Sequence, residues 1–448
     1  MENFNHKIIV LDDDPTGIQT VHDIYVYTDW EYATIRDAFT APEQMFFILT
    51  NSRSFSAEHT REVHRTIARR IVRAARETGR DYIIISRGDS TLRGHFPLET
   101  ETLRTVIEAE TGNAFDGEIL CPFFPEGGRY TIGNIHYVKE GDQLIPAGET
   151  EFAKDRTFGY RSSDLRDYVA EKTDGKWPSE TCICITLEEL RDRQIQVIYD
   201  KLMTAAGFQK IIVNAAEYAD LEVFCEAWIK AVNSGRKYLI RSAAALPKVI
   251  GNISDIPLLT GPDLIKQDTR QGGLIIIGSH VAKTTGQLNA LMESEAKLKF
   301  LEFSVDGYHQ SRGLEPETER ILILAEQAIR KGRTAVIYTS RTLLVPAGSS
   351  KEETLLTSVS ISHALTDIVR RLNVTPRFLI AKGGITSSDV GTRGLAVKKA
   401  LVMGQIRAGI PVWMTGSESK FPGMPYIIFP GNVGDSLTLR EIAEELSK

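Results

Sequence analysis

Ile8-Ile9-Val10-Leu11-Asp12-Asp13-Asp14-Pro15-Thr16-Gly17 joins a short apolar run to three consecutive carboxylates and a turn. A run of this length, rich in β-branched residues and closed by turn formers, reads as a buried strand. Three adjacent acids repel one another, so a fold that sets them at the mouth of such a strand supplies a cation, a basic residue or a substrate hydroxyl to offset them. Pro15 and Gly17 then break the strand into a tight turn. Read alone, the loop also fits a helix-capping cluster.

The same grammar recurs outward from this stretch. Residues 23–28, 45–50, 82–86 and 118–121 are short and rich in Ile, Val, Phe and Tyr. Between them, Ser56 to Gly79 carries Val63, Ile67, Ile71 and Ala75 at four-residue spacing, which predicts an amphipathic helix with Gly79 as its C-cap. Such alternation predicts an α/β domain with a largely parallel sheet. After residue 129 the pattern loosens into Tyr130–Val138, read as a hairpin or an excursion from the main fold. It resumes with Thr181–Ile185, Lys210–Val213 and Lys237–Ile240, with helices between.

From Ser242 to Gln271 the chain is broken by Pro247, Pro257 and Pro262 and has no sustained period, as expected of a connection. A second series starts at Gly272–Gly278 and continues through Lys299–Val305, Thr334–Thr339, Arg377–Ala381, Pro411–Thr415 and Tyr426–Phe429, with helices between. The expected fold class is two α/β domains with largely parallel sheets facing an interdomain cleft. Their expected bounds are residues 1–245 and 272–448, joined by 246–271.

The 448 residues are 25% charged and 42% hydrophobic, the balance of a globular protein. A formal charge of −6 gives no electrostatic footprint for nucleic acid. No apolar run approaches the roughly 18 residues of a membrane span, so no membrane partner is expected. The stretch Met1–Lys7 leaves no room for a charged segment followed by a long apolar one, and a cytoplasmic location is expected. Cys121, Cys182, Cys184 and Cys225 lack metal-ligand spacing and read as core thiols. No metal ligands are assigned.

Ligands of α/β sheets bind outside the carboxyl ends of the strands, so the loops there carry the candidates. Besides Asp13 and Asp14, the loop Asn51-Ser52-Arg53-Ser54 offers a guanidinium fork for a carboxylate. Ser86-Arg87-Gly88-Asp89-Ser90-Thr91-Leu92-Arg93-Gly94-His95 sets two arginines around an aspartate and two hydroxyls. That density suits a polyhydroxylated anion, with Arg87 and Arg93 for its carboxylate and Asp89, Ser90 and Thr91 for its alcohols.

In the second half, Gly278-Ser279 with Thr284 and Gln287, Gly383-Gly384-Ile385-Thr386-Ser387, and Gly431-Asn432-Val433-Gly434 each follow an apolar strand. Glycines and small hydroxyls at strand ends expose backbone N–H groups to phosphate oxygens. There is no Gly-x-x-x-x-Gly-Lys-[Ser/Thr] loop and no Gly-x-Gly-x-x-Gly after a strand, so the nucleotide site is of another kind. Neither His-Glu-x-x-His nor Gly-x-Ser-x-Gly occurs, which leaves zinc and common serine hydrolysis without local support.

At these residues the chain resembles the four-carbon acid sugar kinase family. The resemblance rests on Asp13-Asp14-Pro15-Thr16-Gly17, Asn51–Ser54, Asp89–Gly94 and the three glycine loops, in the family's order and over nearly the whole chain. It implies an N-terminal substrate domain and a C-terminal nucleotide domain that transfer phosphate from ATP, with Mg²⁺, to an acid such as threonate, erythronate or 3-oxo-tetronate. Asp13 or Asp14 would accept or orient the hydroxyl proton, and Arg53, Arg87 and Arg93 would hold the acid. Gly278, Ser279, Thr284, Gln287, Gly383, Gly384, Thr386, Ser387, Gly431, Asn432 and Gly434 would hold the nucleotide. A homodimer is compatible with the sequence. The chain departs from the family at Asp12, Gly88, His95, Val281 and Ile385.

Two other readings stay open from the residues alone. Asp12-x-Asp14-x-Thr16 also fits a haloacid-dehalogenase-type phosphatase, with Asp12 as nucleophile and Mg²⁺ beside it. The same residues could also serve a non-catalytic sugar-acid binding protein.

Overall fold

Most strands form where the apolar runs predict them; the strand Gln143–Pro146 was not predicted. In the first half of the chain they are β1 (Lys7–Asp12), β2 (Ile24–Tyr27), β3 (Met45–Leu49), β4 (Tyr82–Arg87), β5 (Gly117–Cys121), β6 (Arg129–Ile132), β7 (Ile135–Glu140), β8 (Gln143–Pro146), β9 (Ile183–Ile185), β10 (Gln209–Val213) and β11 (Tyr238–Ser242). This computed structural model describes residues 4–266, 269–278, 282–309, 313–340, 351–431 and 433–448. The chain divides into two units, Met1–Asp255 and Ile256–Lys448. The stretch read as a connection contains the short helices Ala245–Ile250 and Gly261–Leu264.

In the first unit the sheet order is β2-β3-β1-β4-β11-β5-β10-β9, and every neighbouring pair is parallel. All six residues of β1 are buried, as a central strand covered on both faces requires. The helix Ala57–Thr78 starts at Ser56, whose hydroxyl accepts from His59 N, and stops at Gly79 in the left-handed region. Its Val63, Ile67 and Ile71 pack with Ile9, Phe46, Ile48 and Ile84. From β1 the chain reaches β3 on one side and β4 on the other. Their carboxyl ends therefore meet at a topological switch point, which is where the Asp13, Arg53 and Asp89 loops begin.

The excursion after residue 129 is a three-stranded antiparallel meander, β6-β7-β8, followed by the helix Leu165–Lys172. It builds its own small core, in which Val138, Tyr160, Leu165, Tyr168 and Val169 close over Leu92 and Phe96.

The second unit contains β12 (Leu274–Ile277), β13 (Leu298–Phe303), β14 (Thr334–Thr339), β15 (Leu379–Lys382), β16 (Lys399–Arg407), β17 (Ile410–Thr415) and β18 (Pro425–Phe429). The order β13-β14-β12-β15-β18 is parallel, and β17 lies antiparallel between β18 and β16. Lys399–Arg407, expected among the helices, is a strand. Its burial alternates residue by residue, and Gly409, with φ +78°, lies in the turn that leads back into β17. No helix among the described residues is long and apolar enough to cross a membrane.

Candidate functional site

The acid loop leaves β1 buried. Arg53 holds it: its Nε and Nη2 donate to Asp13 Oδ2 and Oδ1 at 3.0 and 2.7 Å, and its Nη1 donates to Asp14 Oδ2 at 2.9 Å. One guanidinium thus joins two carboxylates through a fork, a geometry lysine cannot make. Asp14 Oδ1 also accepts from the Thr16 N–H at 2.7 Å and from the Thr16 hydroxyl. Arg87 Nη1, from the end of β4, donates to Asp12 Oδ1 at 3.1 Å and Asp13 Oδ1 at 3.4 Å.

The three acids part company electrostatically. Burial pushes Asp12 up to about 7 against the pull of Arg87. Burial also raises Asp13, with Arg53 and Arg87 opposing it. For Asp14 the burial is outweighed by Arg53, Arg87 and the Thr16 hydrogen bonds, which hold it below the usual carboxylate range. Asp12, the extra acid, is packed against the Gly17 backbone. A Cβ at residue 17 would lie 2.1 Å from its Oδ2, so glycine is needed there.

The Asp89 loop is a second charged cluster. Arg93 Nε donates to Asp89 Oδ2 at 2.7 Å, and the Thr91 hydroxyl donates to the same oxygen. Burial would raise Asp89, but Arg53 and Arg93 hold it far below the ordinary value, which links this loop to the acid loop. Beneath both lies Glu99, whose Oε1 accepts from Ser52 Oγ at 2.6 Å and whose Oε2 accepts from Arg241 Nη1 at 2.5 Å. Burial notwithstanding, Arg241 and His64 bring Glu99 down to about 2. Arg241 also bonds Ser86 Oγ at 2.9 Å and lies against Gly88, where a Cβ would be 2.2 Å from its Nη2.

Asp13, Asp14, Arg53, Arg87, Asp89, Thr91 and Arg93 are therefore brought together. Ser90 is buried and takes part through its backbone carbonyl. His95 Nε2 hydrogen-bonds Phe55 O at 3.0 Å and is structural.

In the second unit the glycine turns follow β12, β15 and β18, which are neighbours in the sheet. Gly278 lies against Thr386, since a Cβ there would be 2.1 Å from Thr386 Oγ1. Gly383, at φ +124°, occupies backbone space open mainly to glycine, while a Cβ on Gly384 would meet nothing within 4 Å among the described residues beyond its own helix. Thr284 Oγ1 donates to Gly431 O at 3.2 Å, and the buried Gln287 Nε2 donates to Val433 O and Asp435 O at 3.1 and 2.6 Å. Both side chains therefore shape the turn around Gly431 and Gly434. Ser387 Oγ is turned back to Gly384 O at 3.0 Å. Ser279 and Asn432 lie outside the described residues.

Sequence reasoning passed over several residues. Lys382, at the end of β15, is wholly buried, donates to Pro430 O at 3.1 Å and Gly431 O at 3.4 Å, and is drawn down to about 7 by burial. Arg241, Glu99, His136, Tyr160 and Tyr168 were also missed. A charged residue one place from the end of the apolar strand Tyr238–Ser242 was the available signal for Arg241. The others act across 40 or more residues of sequence, where no local spacing could reveal them.

Residues 8–250 match the family of the sugar-binding N-terminal domain, and residues 274–439 match that of the nucleotide-binding C-terminal domain. This chain belongs to the four-carbon acid sugar kinase family. The acid loop, the Arg53 loop and the Asp89 loop all fall in the sugar-binding part, and the three glycine turns fall in the nucleotide-binding part. A solved structure from Salmonella typhimurium LT2, described as a tRNA synthase, aligns with a TM-score of 0.68 at 14% identity over 96% of this chain and 97% of that one. Protein HI1011 of Haemophilus influenzae aligns at 0.63 with 18% identity over 98% of this chain and 100% of its own. At such identities the likeness is one of fold. No curated protein sequence matches the chain.

Proposed function

We propose that the protein is an ATP-dependent kinase that phosphorylates the terminal hydroxyl of a four-carbon sugar acid of the threonate, erythronate or 3-oxo-tetronate class. The observation that carries this reading is the meeting of Asp13, Asp14, Arg53, Arg87, Asp89 and Arg93 at the switch point of a sugar-binding domain. Guanidinium groups suit the carboxylate of such an acid, and aspartates suit its alcohols.

Asp14 is the group we assign to the acceptor hydroxyl. Its side chain is 18% exposed against 2% for Asp13, and geometry precedes pKa in choosing a base. A low pKa is no obstacle, because phosphoryl transfer through a loose transition state asks mainly for positioning of the nucleophile. Asp13 holds the Arg53 fork in place. ATP would supply the phosphoryl group, and the glycine turns after β12, β15 and β18 would take its phosphates, a reading supported by Gly383 at φ +124° and by the open space at a Gly384 Cβ.

Among the described residues no cluster of His, Cys, Asp or Glu could hold a metal ion, so Mg²⁺ is given no protein ligand and no step is drawn through it. The need for ATP fits a cytoplasmic setting.

The phosphatase reading loses ground at Asp12. Its would-be nucleophile is 1% exposed, tied to Arg87 and raised to about 7, whereas a nucleophilic carboxylate must be ionised and reachable.

ADP release with a panel of four-carbon acids tests the proposal. Acid-dependent ADP is expected, and Asp14→Asn should lower kcat by about 10²–10⁴-fold with ATP affinity unchanged. Acid binding without ADP would leave a binding protein, and phosphate release from a phosphorylated acid without ATP would restore the phosphatase.

A further inference from the structure

The excursion Arg129–Thr181 touches the Asp89 loop in a particular way. Three successive carbonyls of that loop are each taken by a buried donor of the excursion. His136 Nε2 bonds Ser90 O at 2.7 Å, Tyr160 OH bonds Thr91 O at 2.7 Å and Tyr168 OH bonds Leu92 O at 3.0 Å. The donors are themselves fixed. Thr131 Oγ1 lies 3.0 Å from His136 Nδ1, which leaves the proton on Nε2, and burial keeps the ring neutral with its pKa down at about 4. Tyr160 and Tyr168 pack edge to face at 5.6 Å, and Tyr168 stacks on Phe96.

A peptide unit is planar, with its N–H opposed to its C=O. Turning the carbonyls of Ser90, Thr91 and Leu92 into the excursion therefore turns the N–H groups of Thr91, Leu92 and Arg93 the other way. Leu92 N closes the turn onto Asp89 O at 3.1 Å, and Leu92 itself stands at φ +66°. The N–H groups of Thr91 and Arg93 donate to nothing among the described residues. Arg129 Nε is buried and also lacks an acceptor there. Arg129 and Arg93 both lie over the Phe152 ring, at 5.6 and 5.0 Å. A buried donor without an acceptor is costly, so Arg129 Nε calls for an anion, and Arg93 with the unused N–H groups of Thr91 and Arg93 offers further donors to one at this turn.

We infer that His136, Tyr160 and Tyr168 are positioning residues that hold the Asp89–Arg93 turn as the receptor for the carboxylate of the sugar acid, with Arg129 beside it. The inference rests on the sugar-acid reading above and adds residues to it. It also gives the excursion a role, since an ordinary parallel α/β sheet needs no such insertion.

Calorimetric titration of threonate and erythronate, and separately of ATP, into the full chain tests it. Tyr160→Phe removes one hydroxyl and keeps the ring. It should weaken acid binding about 5-fold, and with Tyr168→Phe about 30-fold, as loss of one and two neutral hydrogen bonds implies. ATP affinity should stay within 2-fold. His136→Gln, which keeps an N–H at similar reach, should retain acid binding better than His136→Leu.

Folded Tyr160→Phe protein with unchanged acid affinity overturns the inference. Equal loss of acid and ATP binding also overturns it, since that marks a general structural role. Wild-type protein that binds neither acid sinks the sugar-acid reading, and the inference with it.

Discussion

Replacing Arg53 by alanine removes the fork that joins the acid loop to β3. Three charge-assisted hydrogen bonds disappear, at 3.0 and 2.7 Å to Asp13 and 2.9 Å to Asp14. Breaking a buried ion pair by deleting one partner costs about 3–5 kcal/mol, because the other charge stays buried. Here Asp13 is 2% exposed but Arg53 is 23% exposed, and Arg87 remains 3.4 Å from Asp13. The expected loss is therefore at the lower end, about 3 kcal/mol. In a unit the size of Met1–Asp255 that is a fall of about 6–12 °C in Tm.

Intrinsic fluorescence is a suitable probe, since Trp30, Trp177 and Trp228 lie in this unit and Trp413 in the other. Without the guanidinium, Asp13 rises further and Asp14 rises above its unfolded value. The folded state then holds more protons than the unfolded one, and stability recovers as pH falls through the folded pKa. The deficit should be largest near pH 8 and smaller near pH 5.5. Arg53→Lys should recover only part of it, because an ammonium cannot fork. A Tm within 2 °C of wild type, or a deficit that grows on acidification, would refute the pairing argument.

Three further outcomes follow from the same geometry. Gly88→Ala puts a Cβ 2.2 Å from Arg241 Nη2 and should push that guanidinium off Ser86 and Glu99. On the proposed function kcat/KM for the acid falls on the order of 10²-fold, with ATP affinity unchanged. Asp12 carries a folded pKa of about 7 against an ordinary 3.8, so its ionisation costs stability above that pH, and the cost fades as pH falls towards the unfolded value. The Tm of Asp12→Asn minus that of wild type should therefore become more positive from pH 5.5 to pH 8.5, and a flat difference would reject the raised value. Gly384→Val enters space where, its own helix and chain neighbours aside, no atom of the described residues comes within 4 Å of its Cβ, so the variant should melt like wild type yet bind ATP at least 10-fold more weakly. Normal ATP binding would remove this turn from the nucleotide site.

Much of the fold was legible because parallel strands buried on both faces announce themselves as short apolar runs, and β1, β3, β4, β10 and β12 are of that kind. β16 was not, since its alternate residues are only half-buried and Gly404 and Gln405 break its apolar run. Of the candidate site, Asp13, Asp14, Arg53, Arg87, Asp89 and Arg93 stood out because each lies in a strand-end loop with turn formers around it. Glu99 in the first turn of a helix, Arg241 inside a strand and Lys382 at a strand end did not, because burial, which makes a charge informative, is a property of the folded chain.

By itself the sequence determined most of the buried parallel strands, where the loops at their carboxyl ends fall, and which family order those loops follow. Those are matters of period, turn chemistry and spacing, all local along the chain. Only the tertiary structure decided the pairing of Arg53 with two aspartates, the seat of Asp12 against Gly17, and the hold of His136, Tyr160 and Tyr168 on three consecutive carbonyls. Hydrogen bonds reach about 3 Å, and which groups come that close across 39 to 76 residues is set by how sheet, helices and excursion pack.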